Sequence, residues 1–414
     1  MTDERRIGRA AGGSFDRRSF LRASGAATLG TTALAGCLGG GDDDTLTIGA
    51  LQPLSGGFAA WGQAHEAGLE FAVDELNDDG GVLGREVEVE ATDTGSDAGE
   101  ADTVFRRFVE SDGALAVTGP VSSDVGLVTR QTAEELQVPL VLHMAGSHRI
   151  LPKDTRYTFR MGSQPAVTDV LPQIELIEER GYDTVGAIIG DYEWGNTLAE
   201  SLEELVPEDV ELTTATAPVG EDDFTPFLRD LPDDLELLVA TGHPPGSIAI
   251  HNQAIELGLD PELTTGAGFP PGVLNSGLGE NATKGFVHLH VSDPYGDAFA
   301  AVAERFADDR GERFDTHEAY GYVTGKLIAE AAEAAGEADP VAIADEIRDI
   351  EFDTVFANPI RYTEWGEIDG LSHMLSGFED GAPDYYPDGD WRLTETFRST
   401  PLDGFDPDEY AFIE

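Results

Sequence analysis

Leu46-Thr47-Ile48-Gly49-Ala50-Leu51 is a short apolar run that breaks into Gln52-Pro53-Leu54-Ser55-Gly56-Gly57, a strand running into a loop. Next, His65 to Leu76 carries Ala67, Phe71, Val73 and Leu76 among acids at helical spacing. Gly80-Gly81-Val82-Leu83-Gly84 is a turn, and Glu86 to Glu90 alternates as a second strand. The alternation then repeats. Glu100 to Ser111 predicts a helix with Val104, Phe105, Phe108 and Val109 on one face. Ala114 to Thr118 is a strand, Ser123 to Leu136 a helix, and Val138 to His143 a strand. This spacing favours a parallel, doubly wound α/β sheet.

The pattern pauses around Arg160 to Ala166 and then restarts. Helices are expected at Thr168 to Arg180, Thr197 to Leu205, Phe224 to Leu231 and Gly246 to Leu257. Strands are expected at Thr184 to Gly190, Val210 to Ala215, Leu235 to Thr241 and Phe286 to Val291. Helices at Asp297 to Arg310, Thr316 to Ala335 and Pro340 to Asp349 follow, and the tail from Phe356 reads as short strands and turns. Two successive α/β series imply two Rossmann-like lobes. The expected division is 46–160 with 290–358 for lobe 1, and 161–289 with 359–414 for lobe 2. Two such lobes turn loop-bearing strand ends toward a common cleft, which closes by rotation about the crossing strands.

Toward the N-terminus, Asp16-Arg17-Arg18-Ser19-Phe20-Leu21 precedes small, mildly apolar residues from Ala23 to Ala35, and then Leu34-Ala35-Gly36-Cys37. Paired arginines before a short apolar stretch are an export signal of twin-arginine type over residues 1–36. The stretch is too short and too rich in Gly, Ser and Thr to span a bilayer. Cys37 is the expected site of lipid attachment, and residues 37–45 a tether on the outer face of the membrane. As the only cysteine, it leaves no structural disulfide. Without residues 1–36, 378 residues remain, too many for one core. The net charge is −55, from 80 acidic against 25 basic residues, and the only lysines are Lys153, Lys284 and Lys326. That excess repels nucleic acid and anionic lipid. A 40% hydrophobic, periodic chain is nonetheless a folded one. Adaptation to multimolar salt, as in a haloarchaeon, accounts for the acid.

Several motifs, in order, resemble the branched-chain amino acid binding proteins of ABC importers. They are Pro53-Leu54-Ser55-Gly56 with Trp61-Gly62, Asn77 through Gly84, and Thr118-Gly119-Pro120-Val121-Ser122-Ser123. Gly190-Asp191-Tyr192-Glu193-Trp194-Gly195, Glu221-Asp222-Asp223-Phe224 and Ala254-Ile255-Glu256-Leu257-Gly258-Leu259 continue the series. The likeness runs from about Leu46 to about Gly370, and the family at large includes amide and urea binders and receptor ectodomains. It implies a type I periplasmic-binding-protein, or Venus-flytrap, fold with three crossover strands. It further implies a monomer that takes a small ligand to ABC permease subunits, with no cofactor. In that family hydroxyls and backbone N–H groups at strand-to-helix turns hold a ligand carboxylate. Ser123 corresponds to the first hydroxyl, with Ser122 beside it, although a serine there also makes an ordinary helix cap. Ala145 and Ser147 correspond to the second anchor, Ser147 standing where the family prefers Thr; a plain loop serine is the alternative. Trp61 and Trp194, each in a Gly-flanked loop, correspond to ligand-covering aromatics, or else to core.

One departure stands out. The family places a glutamate in a second-lobe loop to pair with the ligand's ammonium, but this chain has Gly266-Ala267-Gly268-Phe269-Pro270 there. Phe269 is then a wall residue, and Asp191, Glu193 or Asp293 would have to replace the acid unless the ligand is not an α-amino acid. The family's tyrosine-bearing loop is here Gly242-His243-Pro244-Pro245, so His243 is either a hydrogen-bonding partner or a surface residue. An enzyme is not expected: Gly-x-Ser-x-Gly, His-Glu-x-x-His, a cysteine nucleophile and a phosphate-binding Gly-x-x-x-x-Gly-Lys are all missing. His288 and His290 share a strand face without a third metal ligand in view. A sensory receptor on the same fold remains the rival to transport. Asn281-Ala282-Thr283 is a glycosylation sequon, a triplet common by chance.

Overall fold

The computed structural model describes residues 45–414, apart from 243, 244, 384, 387, 388, 411, 413 and 414. The export signal, Cys37, the tether as far as Asp44, and His243 lie outside the described residues.

The first half contains β1 (Thr45–Gln52), α1 (Ala59–Asp78), β2 (Glu86–Asp93), α2 (Ala98–Glu110), β3 (Ala116–Thr118), α3 (Ser123–Leu136), β4 (Leu140–Leu142) and β5 (Thr158–Arg160). Its five strands form a parallel sheet in the order β2-β1-β3-β4-β5. β1 is covered on both faces, so its residues from Leu46 to Gln52 are all buried with no alternation. On one face Phe105 and Phe108 of α2 pack with Leu51, Val117, Leu140 and Leu142. Gly49 is needed for this approach: a Cβ there would lie 2.5 Å from the Phe108 ring.

The second half contains α4 (Ala166–Arg180), β6 (Thr184–Gly190), α5 (Glu193–Leu205), β7 (Glu211–Ala217), α6 (Thr225–Leu228), β8 (Leu237–Thr241), α7 (Gly246–Leu257), β9 (Leu263–Gly266), α8 (Pro271–Leu278) and β10 (Phe286–His290). The chain then returns to the first sheet through α9 (Asp297–Arg310), α10 (Thr316–Ala335) and α11 (Pro340–Asp349), and goes back for β11 (Met374–Asp380) and β12 (Trp391–Arg398). The second sheet runs β12-β11-β10-β9-β8-β6-β7, parallel from β10 to β7, with β11 antiparallel to both β10 and β12.

Phe299, Phe306, Tyr320 and Val323 of α9 and α10 join Leu46, Ile48 and Phe71 in one core on the other face of the first sheet. The chain passes between the sheets at 161–165, 291–293 and 371–373. Ile360 and Ile368 belong to the first-sheet core, and after β12 the tail turns back, with Phe405 O accepting from Trp365 Nε1 at 3.0 Å and Asp406 pairing with Lys153 at 2.6 Å.

β5, β9 and α8 were not visible in the sequence pattern. The two strands are three and four residues long, too short to show a period, and α8 opens on Pro270-Pro271, which reads as loop.

Candidate functional site

A cavity of about 300 Å³ opens between the two sheets, walled by the residues that follow the carboxyl ends of β3, β4, β5, β6, β8, β9 and β10. That is where open parallel sheets bind ligands, and the size suits a small molecule.

One corner is built for an anion. α3 begins at Ser123, and its cap residue Ser122 makes no side-chain capping bond, so first-turn N–H groups are left for a ligand. Ser122 and Ser123 both line the cavity. Ser123 Oγ accepts the Ser147 N–H at 3.1 Å, which leaves its own proton to donate.

Ala145 and Ser147 stand behind this wall, and Gly146 between them forms it. Ser147 is buried; its Oγ accepts from Arg149 N at 3.2 Å and donates to Glu193 Oε1 at 3.3 Å. The Ala145 carbonyl accepts from Arg160 Nη1 at 2.5 Å. Arg160 is buried with Glu367 in a two-pronged pair at 2.5 and 2.9 Å, so its charge is spent on fastening the loop that carries Ala145 and Ser147 to Glu367.

The aromatic wall comes from both halves. Trp61 and Trp194 sit in the first turns of α1 and α5, not in Gly-flanked loops: both helices start earlier than their apolar periods announce. Trp61 Nε1 donates to Gly268 O at 2.8 Å, and its ring lies 4.4 Å from that of fully buried Phe269. Trp194 borders the cavity with its Nε1 unpartnered and faces Tyr192 in a near-parallel stack. A Cβ on Gly146 would lie 2.9 Å from the Trp194 ring, so the two halves are in contact across the cavity mouth.

The polar floor is mostly neutral. Burial drives His290 down to about 3 and His373 to about 4, so neither supplies a positive charge near neutral pH. His317 is likewise pushed down to about 3, and its Nε2 shares the Gly268 carbonyl with Trp61 while its Nδ1 faces His143 Nε2 at 3.0 Å. Gln173 and Thr265 are joined at 2.9 Å. Of the three acids considered from the sequence, Asp191 is exposed and bonded to Asn196, and Asp293 pairs with Arg398 at 3.0 Å. Glu193 lines the cavity but is engaged by Ser147 and Arg149.

The acid that reasoning from sequence missed is Asp169, in the first turn of α4, buried and on the cavity wall. Burial holds its carboxyl well above the usual range, with Arg160 pulling it back. The signal was present: Ala166, Asp169, Val170, Gln173 and Ile177 lie on one helical face, and an acid inside an apolar stripe asks for a reason. His288 and His290 stack at 4.8 Å, and among the described residues no three His, Cys, Asp or Glu side chains are grouped to hold a metal.

Residues 45–374 match the family model for periplasmic binding proteins. The chain belongs to the periplasmic binding protein family. Leu/Ile/Val-binding protein homolog 1 of Brucella abortus (strain 2308) is 27% identical over 341 residues, 81% of this chain and 90% of its own. The leucine-, isoleucine-, valine-, threonine- and alanine-binding protein of Pseudomonas aeruginosa is 27% identical over 338 residues, covering 78% and 87%. Among solved structures, the leucine-binding protein LivK of Thermotoga maritima superposes with a TM-score of 0.71 at 22% identity, covering 86% of this chain and 99% of that one. A solute-binding protein of R. palustris, solved with benzoate, gives 0.73 at 18%, covering 87% and 98%. Both share the type I periplasmic-binding-protein fold. The family is one of substrate-binding proteins, non-enzymatic as a class. No helix among the described residues is long and apolar enough to cross a membrane.

Proposed function

We propose that this chain is the extracellular capture subunit of an ABC importer, closing its lobes on a small carboxylate with an apolar body and handing it to the permease. A branched-chain or related amino acid is the favoured cargo. The observation that carries the reading is the cavity itself: an uncapped helix N-terminus with Ser122 and Ser123 at one corner, and Trp61, Phe269 and Trp194 along the rest. A carboxylate is drawn to the helix terminus, and the aromatics reward an apolar side chain that fills the space between the lobes.

Two of the relatives are named for leucine, isoleucine and valine, which supports the amino acid. The aromatic wall and the neutral histidines favour an aromatic carboxylate as the second candidate. The export signal and Cys37 add that the subunit is lipid-anchored outside the cell; Cys37→Ser should release it from the membrane fraction.

Thermal shift in high salt tests the ligand class, with leucine, isoleucine, valine, phenylalanine, benzoate and short amides. One class should stabilise by roughly 3–4 kcal/mol at several hundred to a thousand times its dissociation constant. If none of the carboxylates moves the midpoint, the reading is wrong.

A further inference from the structure

We propose that Asp169 is the specificity-determining residue of this site, pairing with a cationic amine on the ligand and so selecting amino acids over plain carboxylates. The inference rests on the carboxylate-binding reading above and adds the residue that decides within it.

Asp169 is only 6% exposed, yet it lines the cavity. Its neighbours are poor partners: Ser163 Oγ stands 3.5 Å from Oδ2, and His373 Nε2 3.7 Å from Oδ1. Neither is a strong hydrogen bond. Its nearby cation, Arg160, is already committed to Glu367 and to the carbonyls of Ala145 and Ser147. Burial favours the neutral form of a carboxyl without a paired charge, and it ionises where something else supplies a cation. The cavity is the open side from which that partner can come.

The placement fits a ligand that carries both charges, since Ser123 and Asp169 line the same cavity. Ser123 Oγ, at the anion corner, is bonded to Ser147 N. Gly146, the preceding residue, approaches Ser163 so closely that a Cβ on it would lie 2.8 Å from Ser163 Oγ. Ser163 in turn reaches Asp169. The anion corner and the acid therefore lie along one cavity wall, brought together by the close approach of Gly146 to Ser163. Glu193, the rival acid, is engaged by Ser147 Oγ at 3.3 Å and Arg149 at 3.4 Å. The acid that the family resemblance leads one to expect on the loop after β9 is thus replaced from α4.

The test uses matched ligands on the full chain: leucine against 4-methylpentanoate, and phenylalanine against 3-phenylpropanoate, by calorimetry in high salt. In the unaltered protein the amine-bearing member of one pair should bind about a hundredfold tighter or more. Asp169→Asn should collapse that ratio to within about tenfold by weakening the amino acid, leaving the amine-free acid as tight or tighter. Glu193→Gln should leave the ratio intact. Equal binding of both members by the unaltered protein overturns the proposal, and that result does not depend on any variant folding. An unchanged ratio in Asp169→Asn overturns it as well, as does a ratio that collapses in Glu193→Gln instead. If neither member of either pair binds, nor benzoate, it is the carboxylate reading that fails.

Discussion

A serine hydroxyl carries one proton and two lone pairs, and at Ser123 one lone pair is already used by the Ser147 N–H. The proton is left for the cavity, beside a helix terminus that favours negative charge. Ser123→Ala should therefore weaken a carboxylate ligand about 10- to 100-fold, since a hydrogen bond to a charged group is worth about 1.5–3 kcal/mol. The melting midpoint without ligand should fall modestly, because the buried Ser147 loses the acceptor for its N–H. Calorimetry on the variant checks this, and unchanged affinity removes Ser123 from the site. Ser147→Ala is a different experiment. Its hydroxyl is behind the wall and bridges to Glu193 from the other half, so it acts on how the halves meet. At this scale the places of Ser122, Ser123, Trp61, Trp194 and Phe269 on the cavity wall could be anticipated because Gly- and Pro-bearing motifs frame them. Asp169 was not, because an acid in a helix's first turn has an ordinary explanation in the helix dipole, and burial is a tertiary property.

Among the elements, Ser123–Leu136, Thr184–Gly190, Gly246–Leu257, Asp297–Arg310, Thr316–Ala335 and Pro340–Asp349 stand at the boundaries their periods predict. Each is long enough for its apolar spacing to be seen and is framed by Gly, Pro or Asp. The starts of α1 and α5 were hidden because tertiary contacts made by Trp61 and Trp194, and not local period, hold the first turns. What no period reveals is how closely α1 and α10 approach. A Cβ at Gly68 would lie 1.9 Å from Glu318 O, and one at Gly321 would lie 1.9 Å from His65 O. Backbone meets backbone here, so no side chain can give way. Gly68→Ala and Gly321→Ala should each destabilise by about 1–3 kcal/mol or more, through overpacking that outweighs alanine's better helix propensity. Denaturant midpoints measured without ligand check this. A gain in stability at either position would mean that the helices are free to separate. His65 and His317 flank this contact on the way to Gly268, so the damage should reach ligand affinity too.

For the molecule as a whole, charge is the dominant physical fact. With 80 acids against 25 bases, most carboxylates have no cation to meet. Among the described residues many bases are spent already: Arg106 on Asp102 and Glu135, Arg305 and Lys326 on Glu75, Arg398 on Asp293 and Glu395. Exposed acids such as Glu203, Glu204, Glu208 and Asp209 at the end of α5 are left to repel one another. That repulsion destabilises the compact state over a range set by the Debye length, about 10 Å at 0.1 M salt and about 3 Å at 1 M. The buried Arg160–Glu367 pair and the apolar cavity wall lie out of reach of this screening. Salt should accordingly set the global stability and leave the chemistry of the site alone. The melting midpoint should rise by about 10 °C or more between about 0.1 M and about 3 M KCl. Replacing Glu203, Glu204, Glu208 and Asp209 with their amides should lower the salt needed to reach a given midpoint. Equal sensitivity in the neutralised variant would trace the effect to hydration of apolar surface, and a flat response to KCl would remove the halophilic reading of the composition altogether.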